Sequence, residues 1–160
     1  MADRLTARER EAMGRDLALD YGTGDGRQGN ADLARAVVRR AGRPLHDLAL
    51  ASGVDNAVQA IVSRVNTRRG ELEPLGHASY GSRHHELIGE PNTEHNRRLV
   101  KLYLLQTLAE EPRIREIRKA AIRYDRALDP SRVDIDLELL IGESEEVVNL
   151  VVPFNFEGAG

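Results

Sequence analysis

Paired carboxylates are the first chemistry the side chains offer. Glu110 and Glu111 close an apolar stretch in LAEEPRIREI, residues 108–117. A glycosidase-like pair must face one substrate from two sides, roughly 5 to 10 Å apart. Neighbouring helical positions point about 100° apart, so these two do not share a cleft. Glu71 or Asp125 would have to complete a pair, and nothing in the pattern nominates either. Histidines come next, with His77, His84, His85 and His95 close together in sequence. A zinc site calls for two His four apart on a helix plus a third ligand. His84 and His85 are adjacent in a loop, so their rings are expected to diverge as surface histidines, with no metal. Ser79 and Ser82 lie near His84, yet no Gly-x-Ser-x-Gly elbow surrounds them and no third triad member is apparent. The glycine-rich YGTGDGRQGN, residues 21–30, lacks the glycine spacing and following lysine of a phosphate cradle. The residues point away from catalysis and imply no cofactor.

Interaction features remain. An acidic residue at a helix C-terminus opposes the helix dipole, so Glu111 needs a specific partner. Arg113 is one candidate and a basic group on another chain is the other. Pro112 drives the preceding residue out of the helical region, making Glu111 the last helical residue or the first beyond it. Glu111, Pro112 and Arg113 thus form a knuckle of opposite charges. The second feature is VVNLVVPFNF, residues 147–156, an apolar strand whose Pro153 assigns it to a sheet edge.

The chain around these features has 160 residues, 41% hydrophobic and 31% charged, which suits one soluble globular domain with a short extension. Net charge is −3, and basic pairs such as Arg39–Arg40, Arg68–Arg69 and Arg97–Arg98 lie among acids without interleaved aromatics. Nucleic acid is not the expected partner. The absence of cysteine excludes disulfides and thiolate sites and fits a reducing compartment. MADRLTARERE has no apolar signal core, and no run of about 18 apolar residues could span a membrane.

The elements follow from periodicity. Residues 3–19 read as a short polar helix, 21–30 as a loop, 31–41 as an apolar-periodic segment and 45–50 as a short strand. Ser52 to Asp55 caps a helix with Val54, Ala57, Val58, Ile61, Val62 and Val65 on one face, ending by Gly70. Residues 70–92 are loop. Asn92 or Thr93 then caps a second helix whose apolar set is Leu99, Leu102, Tyr103, Leu105 and Leu108. AAIRYD, residues 120–125, is a plausible strand. VDIDLELLI, residues 133–141, alternates with period two, and GESEE turns it into residues 147–156 as a hairpin. No internal repeat stands out. The fold class is α+β: two main helices packed on a small, mostly antiparallel sheet with a C-terminal β-hairpin, plus an N-terminal helical extension.

Five motifs occur in order: an Asn-x-x-Gln helix, DNAVQAIVSRV (55–65); a turn, TRRGE (67–71); Tyr80-Gly81-Ser82; Glu-Pro-Arg-Ile (111–114); and Pro153-Phe154 in the last strand. In this order they resemble the GPW-type baseplate wedge proteins of contractile phage tails, type VI secretion systems and extracellular injection particles, over roughly residues 45–160. The resemblance implies a structural, non-enzymatic subunit without cofactor, metal, nucleic acid or membrane. Six copies would surround the tail tube hub and its spike, assembled in the bacterial cytoplasm into a contractile particle. Glu111, Pro112 and Arg113 would attach it to the helical core of the wedge. Its C-terminal sheet is similar to the strand-exchange domain of sheath subunits. The edge carrying Val148, Leu150, Val152 and Phe154 would receive arms of the first sheath ring and initiate the sheath. Some phage relatives are labelled lysozymes, and a relative by fold is an anti-adaptor. A muramidase and a regulatory binding module are therefore the alternatives. Residues 1–44 form an extension of helix and Gly-rich loop outside the motif match.

Overall fold

The computed structural model describes residues 13–20, 32–40, 43–142 and 147–157, in an α+β fold. Two compact units, Met1–Ala60 and Ile61–Gly160, divide the chain, whereas the resemblance runs from roughly residue 45.

In the first unit, strands β1 (Arg15–Leu17), β2 (Leu19–Asp20), β3 (Asp32–Leu33), β4 (Arg35–Arg40), β5 (Arg43–Leu48) and β6 (Leu50–Ser52) form three antiparallel ribbons, β1–β6, β2–β3 and β4–β5. One alanine joins each ribbon to the next. The Ala18 N–H donates to the Ala49 carbonyl at 2.8 Å, Ala49 to Ala34 at 2.9 Å, and Ala34 to Ala18 at 2.8 Å. This closed cycle makes a three-ribbon junction, and each of its alanines ends an Asp-Leu-Ala triplet: 16–18, 32–34 and 47–49. The three leucines of these triplets are exposed to a similar degree, Leu17 at 38%, Leu33 at 41% and Leu48 at 43%. The triplets recur at uneven spacing and share a role only at this junction, so they form no periodic repeat of the kind that repeat folds carry.

Residues 15–20 are extended, correcting the end of the helix expected over residues 3–19. Pairing with distant strands outweighs the modest helix preference of an Arg-, Ala- and Leu-rich segment. Residues 3–12 and the loop at 21–30 lie outside the described residues. The apolar-periodic segment at 31–41 contains β4, whose adjacent Val37 and Val38 suit an extended backbone. The strand expected at 45–50 is divided between β5 and β6 at Ala49.

Helix α1 spans Val54–Asn66, with Asp55 in its first turn and Arg64 in its last, the arrangement the helix dipole favours. Ala57, Ile61 and Val65 are its buried stripe at four-residue spacing. The helix stops before the Gly70 turn. Two short 3-10 turns, Glu73–Leu75 and His84–Leu87, punctuate the following loop.

Helix α2 spans Glu94–Ala109 and is capped by Thr93, whose Oγ1 accepts the Asn96 N–H at 3.2 Å. Val100, Leu104, Thr107 and Leu108 are its buried face. This corrects the expected set, of which Leu108 alone is fully buried while Leu102 is exposed. The helix carries apolar residues on more than one face, so sequence alone misassigns the phase of its stripe. Against α2 and its flanking turn lies a sheet of β7 (Ile114–Arg123), β8 (Arg132–Ile141) and β9 (Val147–Asn155), ordered β7-β8-β9 and antiparallel throughout. Strand β8 keeps the expected alternation: Val133, Ile135, Leu137, Leu139 and Ile141 are buried. Asp134, Asp136 and Glu138 on its other face pair with Arg132, Arg123 and Lys119. Strand β9 is the expected hairpin partner and edge; residues 143–146 of the connection lie outside the described residues.

Candidate functional site

Four of the five sequence motifs meet around one side chain, Arg64, in the last turn of α1. Its Nε donates to Glu111 Oε2 at 3.2 Å, its guanidinium lies 4.5 Å over the Tyr80 ring, and Glu110 Oε2 is 3.9 Å away. Arg113 closes the other side of Glu111, with Nε donating to Oε1 at 2.6 Å. Arg69 Nη1 donates to both carboxylate oxygens of Glu110, at 2.9 and 3.2 Å. The Glu111 side chain is only 2% exposed. Burial pushes its carboxyl upward, but the hydrogen bonds and charge of Arg113 and the charge of Arg64 outweigh this and hold it below the ordinary carboxylate range. Glu111 therefore has the intramolecular partner its position demanded, and it has two. Arg113 was legible from the knuckle. Arg64, Arg69 and Tyr80 were not singled out as site residues, although each lies inside a motif already quoted.

Backbone geometry delivers Tyr80 to Arg64. The Ser82 N–H donates to the Thr67 carbonyl at 2.8 Å, and the Arg69 N–H to the Ser82 carbonyl at 3.1 Å. The TRRGE turn and Tyr-Gly-Ser thus run side by side as a parallel bridge. Gly81 lies between them at φ +99°, where an added Cβ would meet the Thr67 and Arg68 carbonyl oxygens at 2.7 Å. Glu71 holds the turn by accepting the Arg68 N–H at 3.0 Å.

The structure revises the histidines. His84 is buried at 4% exposure and His85 is half-buried, on a 3-10 turn rather than an open surface loop. Their rings do not diverge: the centroids are 4.0 Å apart. Consecutive residues of this tight turn bring the rings together, while Phe154 packs edge-on against His84. His84 Nδ1 and Ser82 Oγ are 2.7 Å apart, both buried, and His85 Nε2 is 3.0 Å from the Val65 carbonyl. Burial first, and the neighbouring His85 second, lower the His84 pKa to about 3. Unfolded His84 takes up a proton near pH 6.5, whereas folded His84 does not until about pH 3. This histidine therefore removes stability as pH falls through that window, by up to about 1.4 kcal/mol per unit. Urea denaturation from pH 7 to 4 should show this slope, and a His84→Gln variant should lack it; equal slopes would refute the assignment. Among the described residues no group of three His, Cys, Asp or Glu is arranged to hold a metal ion.

The Asn-x-x-Gln motif acts in the first unit. Asn56 Nδ2 donates to the Met13 carbonyl at 2.8 Å. Gln59 Nε2 donates to the Leu17 carbonyl at 2.9 Å while its Oε1 accepts the Leu19 N–H at 2.8 Å. Three residues apart on a helix, the two amides share a face. Together they fix the backbone on both sides of Ala18, a member of the alanine cycle.

The C-terminal strand offers backbone more than side chains. Val148, Leu150, Val152 and Phe154 share one face of β9, and Val152 and Phe154 are buried within the chain while Val148 and Leu150 are half-buried. Among the described residues no strand pairs with the outer edge of β7 or of β9.

No protein-family model matches the chain, and no curated protein sequence does. A solved structure does: a Geobacter sulfurreducens protein provisionally described as a tail lysozyme superposes with a TM-score of 0.56 at 21% identity, covering 67% of this chain and 94% of that one. At that identity the likeness is one of fold: this chain is built like that tail protein.

Proposed function

We propose that this chain is a structural baseplate component of a contractile injection system, joining the wedge core to the first sheath ring and initiating the sheath by strand exchange. The observation carrying this is the convergence of the motifs. Residues that only looked like a family pattern in sequence build one interlocked network around Arg64, on a fold shared with a protein described as a tail lysozyme. In this reading the Glu111-Pro112-Arg113 knuckle meets the wedge through exposed Pro112 and half-buried Arg113, with buried Glu111 holding Arg113 in place; tail tube hub and spike proteins lie nearby, and six copies assemble in the bacterial cytoplasm.

The two sheet edges differ in a way that supports the sheath contact. Strand β7 carries two register shifts and exposes Arg115, Glu116, Arg118 and Lys119, the devices that blunt an edge. Strand β9, VVNLVVPFN, has no charged residue and leaves Val151 exposed. An incoming arm fits β9 by β-augmentation, its backbone bonds supplying affinity. Val151→Lys, on an exposed position, is expected to preserve folding and to lower the fraction of particles bearing sheath at least tenfold. Arg118→Glu on β7 should leave that fraction unchanged.

The direct test is a pulldown of the N-terminally tagged full chain from its native host, with electron microscopy of the eluate. Baseplates or sheathed tubes containing the protein are the expected result. A small soluble complex would replace this reading with a regulatory module. The name of the structural neighbour favours one further alternative, a muramidase. Peptidoglycan turnover by the purified chain that is abolished by Glu110→Gln or Glu111→Gln would establish it. Two features oppose that reading: the guanidinium partners of both glutamates, and the lowered rather than raised Glu111 pKa, where an acid catalyst needs a raised one.

A further inference from the structure

We infer that the β4–β5 ribbon is a docking arm for an acidic, extended segment of a partner protein. Antiparallel register places Arg35, Val37 and Arg39 of β4 on one face with Pro44, His46 and Leu48 of β5. Arg35, Val37, Arg39, Pro44 and Leu48 are exposed, Val37 by 64%, and the face carries no acidic residue. Among the described residues the Arg35 and Arg39 side chains have no hydrogen bond or ion pair. The root of the ribbon is fixed at Ala34 and Ala49 by the alanine cycle, so the face is presented from an anchored base.

An isolated two-stranded ribbon is marginal in water, and this one exposes a valine on each face, Val37 and Val38. Cover by a partner supplies the missing burial. Arg35 and Arg39 are four residues apart, about 13 Å along a strand, with Val37 midway. The complement is a strand with acidic residues four apart and an apolar residue between them, stacked face to face on the ribbon. Nucleic acid is the less suitable occupant. His46, paired with Val37, is the one ring at a register position between the arginines, two cations about 13 Å apart make a short phosphate track, and the central apolar position has no counterpart in a phosphate backbone. The inference concerns a different part of the chain from the β9 edge and does not depend on it.

The test uses the full chain and fluorescence anisotropy at physiological salt. The probes are a peptide of repeating Glu-Thr-Val-Thr, poly-glutamate and a DNA duplex. The patterned peptide should bind at least tenfold more tightly than poly-glutamate. Val37→Ser should abolish that preference, the Arg35→Glu/Arg39→Glu variant should lose both peptides, and the corresponding double lysine variant should retain part of the binding. Val151→Lys on β9 should change nothing, which separates this result from failure of the sheath reading. Far-UV circular dichroism of each variant confirms folding. Equal binding of the two peptides, binding of neither, or tighter binding of DNA overturns the assignment.

Discussion

Replacing Glu111 with glutamine should lower the free energy of unfolding by about 3 kcal/mol, the scale for breaking one side of a buried ion pair. The carboxylate is nearly inaccessible and sits between two guanidinium groups, at 3.2 Å from Arg64 and 2.6 Å from Arg113. Glutamine keeps the shape but removes the charge, and it presents an N–H₂ where an acceptor is required. Arg113 then loses its counter-charge and Arg64 keeps only the more distant Glu110, at 3.9 Å, while both remain largely covered. Glu110→Gln is the control, since its side chain is 39% exposed and surface pairs contribute under about 1 kcal/mol. The pH dependence separates this effect from that of His84. The lowered Glu111 pKa gives stability that is complete above the unfolded value near 4.5 and is lost as pH falls through the folded one. Glu111→Gln should therefore flatten the acid limb below about pH 4.5, whereas His84→Gln flattens it from near 6.5 down toward 3. Urea denaturation of the two variants across pH distinguishes them. If Glu111→Gln costs no more than Glu110→Gln, the network does not hold this end of α2.

What was legible in the sequence was what periodicity controls. VDIDLELLI alternates because one face of β8 is buried and the other pairs its carboxylates with Lys119, Arg123 and Arg132, so period two announced both the strand and its orientation. Thr93 could be read as a cap because its hydroxyl has a local partner three residues on. Pro112 could be read as a stop for the same local reason. Contacts between distant segments were not legible. Arg64 and Glu111 come from different helix ends, and no short-range pattern connects them. The His84–His85 contact depends on a 3-10 turn that a plain loop assignment missed. In the first unit, the Asp-Leu-Ala triplets have meaning only once three separate ribbons meet at their alanines. The motifs name most of these residues in chain order but say nothing of what they do together, which is to hold Tyr80, two glutamates and three arginines in one place.

That purpose predicts that Gly81→Ala will be as damaging as any single methyl can be, at about 3 to 4 kcal/mol. At φ +99° an alanine is strained, and its Cβ would lie 2.7 Å from two backbone carbonyl oxygens, which cannot swing aside as a side-chain tip could. The TRRGE turn must therefore move, stretching the Ser82–Thr67 and Arg69–Ser82 bonds. Gly70 provides the matched control: it has φ +85° but nothing within 4 Å of an added Cβ, so Gly70→Ala should cost only the backbone strain, about 1 to 2 kcal/mol. The difference between the two variants measures the close approach of the two motif segments. A shifted turn also carries Tyr80 off Arg64 and Arg69 off Glu110, so the effects of Gly81→Ala and Glu111→Gln should be less than additive by about 1 kcal/mol. Gly81→Ala, Glu111→Gln and their double variant, each unfolded in urea, form the cycle. Strict additivity would mean that the turn and the knuckle are independent structures. Coupling would make the turn and the knuckle one structure, so that, if the proposed wedge attachment holds, mutations at Gly81 or Arg69 weaken it through the position of the knuckle.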